Sequence, residues 1–323
     1  MKENPPITET ILCGRTLLNT CLSLKKATNI LIAYDDAGRS NADSLIKAAN
    51  RLGLKVVQFH ITKIDRERKP VPRLSRLMQS NDVTIFCVNQ KRIVTYGHSD
   101  ARVAAIKKGR RVAFLTQSLL ETPATSDLKK IHARSHRLGK MIERSRRVTV
   151  LSGKNYERKL EFSVEGRKSF PLSSILVKKG DWGAVPDYAE AAIAPIEGTG
   201  AGTVEIDGMI MGYGALKTPL ILKFNEGNLN GFEGRVYRKQ LTEILQSRDG
   251  TLRVLCELGL GANHLRTKIR GEFDDKKILG SAHIAIGDNH TIGGKNVSKH
   301  HIDFLISQPR LLLDGRPVTL QEV

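Results

Sequence analysis

Over the first 150 positions, short apolar runs alternate with stretches of helical periodicity. Asn29-Ile-Leu-Ile-Ala-Tyr34 is one such run, ending in Asp35-Asp36-Ala-Gly38. Bounded runs of this length predict buried strands, and 54–59, 83–88 and 111–115 repeat the pattern. Positions 41–52 place Leu45, Ile46, Ala49 and Leu52 on one helical face and stop at Gly53, as a helix C-terminus does. Helical patterning also covers 7–26, 73–79, 100–108 and 126–144. Strands separated by helices predict βαβ units and a largely parallel sheet. The turn after the first strand, Asp-Asp-Ala-Gly-Arg-Ser, is not GxGxxG, so no dinucleotide is expected there. Asp35 and Asp36 lie where open sheets gather ligands; capping the next helix is the plainer reading.

Near residue 148 the pattern changes. Gly, Asp, Asn and Pro punctuate short strands at 148–151, 159–164, 192–195, 202–206, 220–224, 251–259, 281–286 and 301–306, with a short helix at 241–246. This predicts a mixed or antiparallel sheet. The expected fold class is therefore α/β: a basic, largely parallel domain over 1–147, then an α+β domain with a mixed or antiparallel sheet over 148–323.

Composition narrows the partners. Of 323 residues, 40% are apolar and 26% charged, as in globular chains. No apolar run reaches membrane-spanning length, and the N-terminus lacks a signal-peptide layout; a cytoplasmic protein without a membrane partner is expected. Four scattered cysteines, Cys13, Cys21, Cys87 and Cys256, form no CxxC pair and are expected to be free thiols. The formal charge of +19 is asymmetric: residues 1–170 hold 34 basic and 15 acidic side chains, and the remainder 18 of each. Such a bias raises nucleic acid or another polyanion as a partner. No nucleic-acid motif accompanies it, and no aromatic interleaves with the densest stretch, 129–147, so a solvated basic face is favoured.

The chemistry concentrates at the C-terminal end. In His301-Ile-Asp303-Phe-Leu-Ile306, strand alternation puts His301 and Asp303 on one side and the apolar residues on the other. A His and a carboxylate so placed can grip one divalent cation. Ala282, Ile284 and Ile286 form an apolar face, and His283 points away from it. Glu257 lies in an apolar, glycine-bounded run, where a lone carboxylate is costly unless paired or metal-bound. Glu190 sits beside Ala-Ala-Ile-Ala-Pro195. His264, after a Gly-x-Gly-Ala-Asn turn, is a candidate substrate contact or a loop cap, and Asn263 fits an Asx turn. Glu272, Asp274, Asp275, Lys276 and Lys277 read as a surface loop of ion pairs.

Glu257-Leu-Gly-Leu-Gly-Ala-Asn263, Phe273-Asp-Asp-Lys-Lys-Ile-Leu-Gly-Ser-Ala-His283-Ile-Ala-Ile-Gly-Asp-Asn289, Gly293-Gly294, His301-Ile-Asp303 and Leu313-Asp-Gly315, with Glu190-Ala-Ala-Ile-Ala-Pro195-Ile-Glu-Gly upstream, resemble the aminopeptidase T/aminopeptidase S metallopeptidase superfamily. That superfamily also includes 2,5-dihydroxypyridine 5,6-dioxygenase. The resemblance covers about residues 180–320 and is looser before them.

The resemblance implies a metal centre of Glu190, Glu257, His283, His301 and Asp303. On the aminopeptidase side it implies two divalent ions (Zn, Co or Mn), with Glu190 and Glu257 also catalytic, acting by metal-activated water on a small-molecule or peptide substrate bearing an amine or amide. That is the reading favoured at this stage. The aminopeptidases carry a Tyr shortly after the first metal His; here Asp288-Asn-His290 stands there, which assigns the role to His290. On the dioxygenase side, His283, His301 and Asp303 alone would hold one Fe(II). The resemblance also places His98 and Arg102 at the substrate cleft and implies a homo-oligomer. A non-catalytic polyanion-binding protein is the third reading.

Overall fold

The computed structural model describes residues 7–62, 71–97 and 99–323. The chain forms two compact units. One holds the residues up to His132 together with Leu172–Tyr188; the other holds Ala133–Pro171 and Ala189–Val323. The structure thus differs from a single boundary at 147/148: the chain leaves the first unit within the helix Thr125–Glu143 and returns to it once. The return delivers the strand Trp182–Val185, which pairs in parallel with Arg111–Leu115. Four residues have no periodicity of their own, and their partner is distant in sequence.

The first unit is built on a parallel sheet in the order Lys55–His60, Asn29–Tyr34, Val83–Cys87, Arg111–Leu115, Trp182–Val185. Its helices include Arg39–Arg51, Pro72–Ser80, Gln90–Gly97 and Asp100–Lys107. The opening helix is shorter than its pattern suggested. It ends at Thr16 and gives way to a wider π turn over Leu17–Cys21. Asp35 follows the first strand and is buried. Its carboxylate accepts from the Gly38 N–H (3.0 Å), the Asn89 N–H (3.1 Å) and the Asn89 amide (2.7 Å). Asp35 thus bonds no N–H of the first turn of Arg39–Arg51, as capping would require; it holds the Gly38 that precedes the helix and ties together the ends of two adjacent strands. Exposed Asp36 instead meets His60 at 2.8 Å.

The second unit holds two antiparallel sheets. One runs Asn228–Glu233, Leu220–Asn225, Ala201–Ile206, Arg158–Ser163, Arg147–Ser152, Arg310–Leu313, Arg316–Val318. Two of its strands bury alternate residues, Leu160/Phe162 and Leu220/Leu222/Phe224, the mark of a sheet with one covered face. The other runs Gly214–Ala215, Met209–Ile210, His301–Ile306, Ala282–Gly287, Leu255–Gly261, Ala189–Ile193, Ser169–Ser173. Here every residue of Ala189–Ile193, Leu255–Gly261 and Ala282–Gly287 is buried, so a polar side chain in these strands is committed to the interior. The fold is mixed α/β, with a parallel N-terminal sheet and antiparallel C-terminal sheets. The cysteines are free. Among the described residues no helix is long and apolar enough to cross a membrane.

Candidate metal centre

Four neighbouring strands of this second sheet carry the five implied ligands. Glu190 lies opposite Gly261, and His283 opposite Gly259. Glu257 and Asp303 both lie opposite Ala285, and His301 opposite Gly287. The period of two then places all five on one face. Each stands across from a glycine or an alanine, and that missing volume lets large polar side chains converge. A Cβ on Gly259 would come within 2.0 Å of the His283 Cε1, and one on Gly261 within 2.0 Å of the Ile278 carbonyl oxygen. Gly259→Ala is therefore expected to displace the His283 ring and to destabilise the fold by about 1–3 kcal/mol through overpacking. Chemical denaturation, with metal content measured alongside, checks both effects.

Glu257 sits between the two imidazoles. Its Oε1 is 3.2 Å from the His283 Nε2 and its Oε2 is 3.1 Å from the His301 Nε2. The His301 Nδ1–H donates to the Asp288 carbonyl at 2.8 Å, so a neutral ring carries its lone pair on Nε2. That nitrogen also lies 3.1 Å from the Asp303 Oδ1. Three acceptors pointed at one another in a buried place repel unless a proton or a cation lies among them. The donor set therefore fits a divalent ion: imidazole nitrogen and carboxylate oxygen, with second-row partners fixing the tautomer. The ligand atoms form two groups, Glu190–Glu257–His283 and Glu257–His301–Asp303, each within 4.8 Å. Burial pushes the Glu257 and Asp303 carboxyls up. The two histidines beside Glu257, and Lys276 followed by His301 beside Asp303, nevertheless hold both well below the ordinary range. Burial pushes His301 down, but Cys256 and Asp303 hold it well above a usual imidazole; the Cys256 sulfur is 3.7 Å from its Nδ1.

Of the segment read as a surface loop of ion pairs, Glu272 is exposed but the rest is interior. Asp274, Asp275, Lys276 and Lys277 are all buried, on the 3-10 turn Phe273–Lys277. The Lys276 Nζ donates to the Asp303 Oδ2 at 2.6 Å, and the Lys277 Nζ contacts the Glu190 Oε2. The Asp275 carboxylate accepts from the backbone N–H groups of Arg270, Gly271 and Glu272, which fixes the turn. The Asn263 N–H donates to the Lys277 carbonyl, and the Asn263 Oδ1 accepts from the Leu265 N–H at 2.9 Å, the expected Asx turn. Burial and the neighbouring Lys276 push the Lys277 ammonium down to about 8 against the pull of Glu190, whereas Asp303, Glu190 and Glu257 hold Lys276 up against its burial. A charge run gives no sign of this placement. The flanking Phe273 and Ile278-Leu279 were the available signal.

Glu197 anchors the loop between the two histidine strands. Its Oε1 accepts from the Lys295 N–H (2.8 Å) and the Asn289 amide (2.9 Å), and its Oε2 pairs with Arg167. Asn289 in turn accepts from the Asn296 N–H. Burial pushes the Glu197 carboxyl up, but these donors hold it below the ordinary range. Its contribution is thus present above the unfolded glutamate value and lost as pH falls through the lower folded value. Glu197→Ala is expected to cost about 2 kcal/mol at pH 7, as for hydrogen bonds to a charged group. The gap between variant and parent in denaturant midpoints should close in acid.

The remaining candidates are dispersed. His290 is exposed, its Nδ1 2.7 Å from the Asp288 Oδ1; it joins neither ligand group. The His264 Nδ1 is 3.2 Å from an Arg134 nitrogen and lines a cavity of about 500 Å³ with Arg266, Ser281 and Gln321. Arg102 belongs to the first unit, where it is buried with its guanidinium 3.9 Å from the Trp182 ring centroid and its Nε donating to the Gly97 carbonyl. That is a packing position and not an exposed contact. His98 lies outside the described residues.

Known proteins share this architecture. The structure of 2,5-dihydroxypyridine dioxygenase from Pseudomonas putida KT2440 aligns at TM-score 0.78 and 15% identity, covering 98% of this chain and 97% of that one. Wild-type AmpT from Thermus thermophilus aligns at TM-score 0.68 and 13% identity, covering 96% and 99%. At such identities the likeness is one of fold. None of the curated proteins matches the chain. The family model described as NicX, 2,5-dihydroxypyridine 5,6-dioxygenase, matches residues 10–322, and the chain belongs to that family.

Proposed function

We propose that this chain is a mononuclear Fe(II) dioxygenase that opens a dihydroxylated aromatic ring, and not the two-metal hydrolase that the aminopeptidase resemblance implied. One observation carries the reading. The His301 Nε2 has its tautomer set by the Asp288 carbonyl and faces the Asp303 Oδ1, with Glu257 joining it to His283. Two imidazoles and a carboxylate are the donor set of oxygen-activating ferrous sites. The family match supports the same chemistry.

His283, His301 and Asp303 would hold the ion, which when bound supplies the single-electron steps that let dioxygen react with a ring. Both oxygen atoms enter the product, so no external reductant is required. The protein's own contributions follow from the contacts. Lys276 holds the Asp303 Oδ2 and leaves the Oδ1 turned toward His301. Gly259 leaves room for the His283 ring. The Glu257 carboxylate, held ionised between the imidazoles, would keep both rings oriented and add negative charge beside the ion.

The test is anaerobic purification without chelators, elemental mass spectrometry and oxygen uptake with 2,5-dihydroxypyridine. About one iron per chain and stoichiometric uptake are expected. About two zinc, cobalt or manganese ions with hydrolysis of amino-acid amides would overturn the reading.

A further inference from the structure

The two ligand groups share Glu257. Two sets of three donors joined by one carboxylate have the layout of a two-metal centre. The protein's own cations, however, lie unequally upon it. Lys276 bonds the Asp303 Oδ2, while the other oxygen, Oδ1, keeps its 3.1 Å approach to the His301 Nε2. Lys277 is fully buried, and its ammonium contacts the Glu190 Oε2, the same oxygen that the His283 Nε2 approaches at 3.6 Å. Of the Glu190–Glu257–His283 group, Glu190 thus already carries a protein cation, which leaves His283 to the single ion beside His301 and Asp303.

The charges agree. Glu190, Glu257 and Asp303 against Lys276 and Lys277 leave one net negative charge with neutral imidazoles. One dication brings this cluster to +1, and two would bring it to +3 in a place where unbalanced charge costs several kcal/mol per ion. We propose that the Lys277 ammonium stands where a two-metal relative would hold its second ion, and that Lys277 limits this centre to one metal. The inference rests on the one-metal reading above and names the residue responsible for it.

Cobalt(II) alone is the probe. The full-length apo-protein is saturated, desalted and counted by elemental mass spectrometry, with the magnetic coupling of the bound ions read by EPR. The parent chain is expected to hold about one ion and Lys277→Met about two, coupled through Glu257, while Glu190→Gln in the Lys277→Met background returns to about one. A folded Lys277→Met that still holds one ion overturns the proposal. Should Lys277→Met not fold, Glu190→Gln alone decides. It keeps an acceptor for Lys277 and is expected to keep the count at about one ion at saturation, with weaker affinity from the lost negative charge; loss of that ion at saturation overturns the proposal. The two readings fail separately. A parent chain with one iron and oxygen uptake, but no second site in Lys277→Met, sinks only the role of Lys277. A parent chain with two ions sinks the one-metal function as well.

Discussion

His301→Ala is expected to lower iron from about one ion per chain to near zero and to abolish oxygen uptake, a loss exceeding the roughly 10- to 100-fold that outer partners of a metal ligand are worth. The reason is the concentration of roles in one ring. Its Nε2 faces both Glu257 and Asp303 at 3.1 Å, and its Nδ1 is locked to the Asp288 carbonyl. Removing it takes away a donor and leaves two buried carboxylates facing each other across a void. His300→Ala is the control. His300 is adjacent in sequence but exposed, so that variant should keep its metal and its activity. Metal analysis and oxygen electrode traces on the two proteins decide the matter; equal losses would remove His301 from the centre.

Lys276→Met carries the second large effect. Its side chain is 7% exposed, and that of its Asp303 partner 4%. Deleting one member of a buried pair leaves an uncompensated charge and costs about 3–5 kcal/mol. A dication beside the Asp303 Oδ1 supplies opposite charge to the same carboxylate. The destabilisation should therefore be largest in the metal-free protein and smaller at saturating Fe(II) or Co(II), where binding to the native state adds its own linkage term. Urea midpoints with and without metal measure the difference. An equal loss in both states would show that the ion and Lys276 do not act on the same group.

Much of this was legible along the chain because it is local. The runs at Asn29–Tyr34, Arg111–Leu115 and His301–Ile306 form strands at the positions their patterns marked. The alternation in His-Ile-Asp put His301 and Asp303 on one side before any fold was known, since strand geometry fixes the period at two. The glycines at 259 and 261 were visible as interruptions of an apolar run, and the resemblance brought Glu190, Glu257 and His283 together with them. The parallel and antiparallel halves followed from the change of pattern near residue 148.

What stayed hidden depends on contacts between distant segments. Trp182–Val185 is a strand because Arg111–Leu115 offers it an unpaired edge; nothing in four residues encodes that edge. Arg102 turned inward because Trp182 gives its guanidinium a ring to stack on. Asp-Asp-Lys-Lys looked solvated because four charges in sequence are ordinarily cheapest in water. They are interior because Glu190 and Asp303, far away in the chain, arrive at the same place and make burial of Lys277 and Lys276 less costly than leaving those carboxylates without partners. The sequence by itself determined which strands exist, which side chains share a face and which residues could bind a metal, for these follow from periodicity and residue chemistry. Only the tertiary structure decided where the balancing charges fall among those ligands, and hence how many ions the face can hold, because electrostatic energy in a dry interior depends on distances of a few ångströms between segments that the sequence leaves apart.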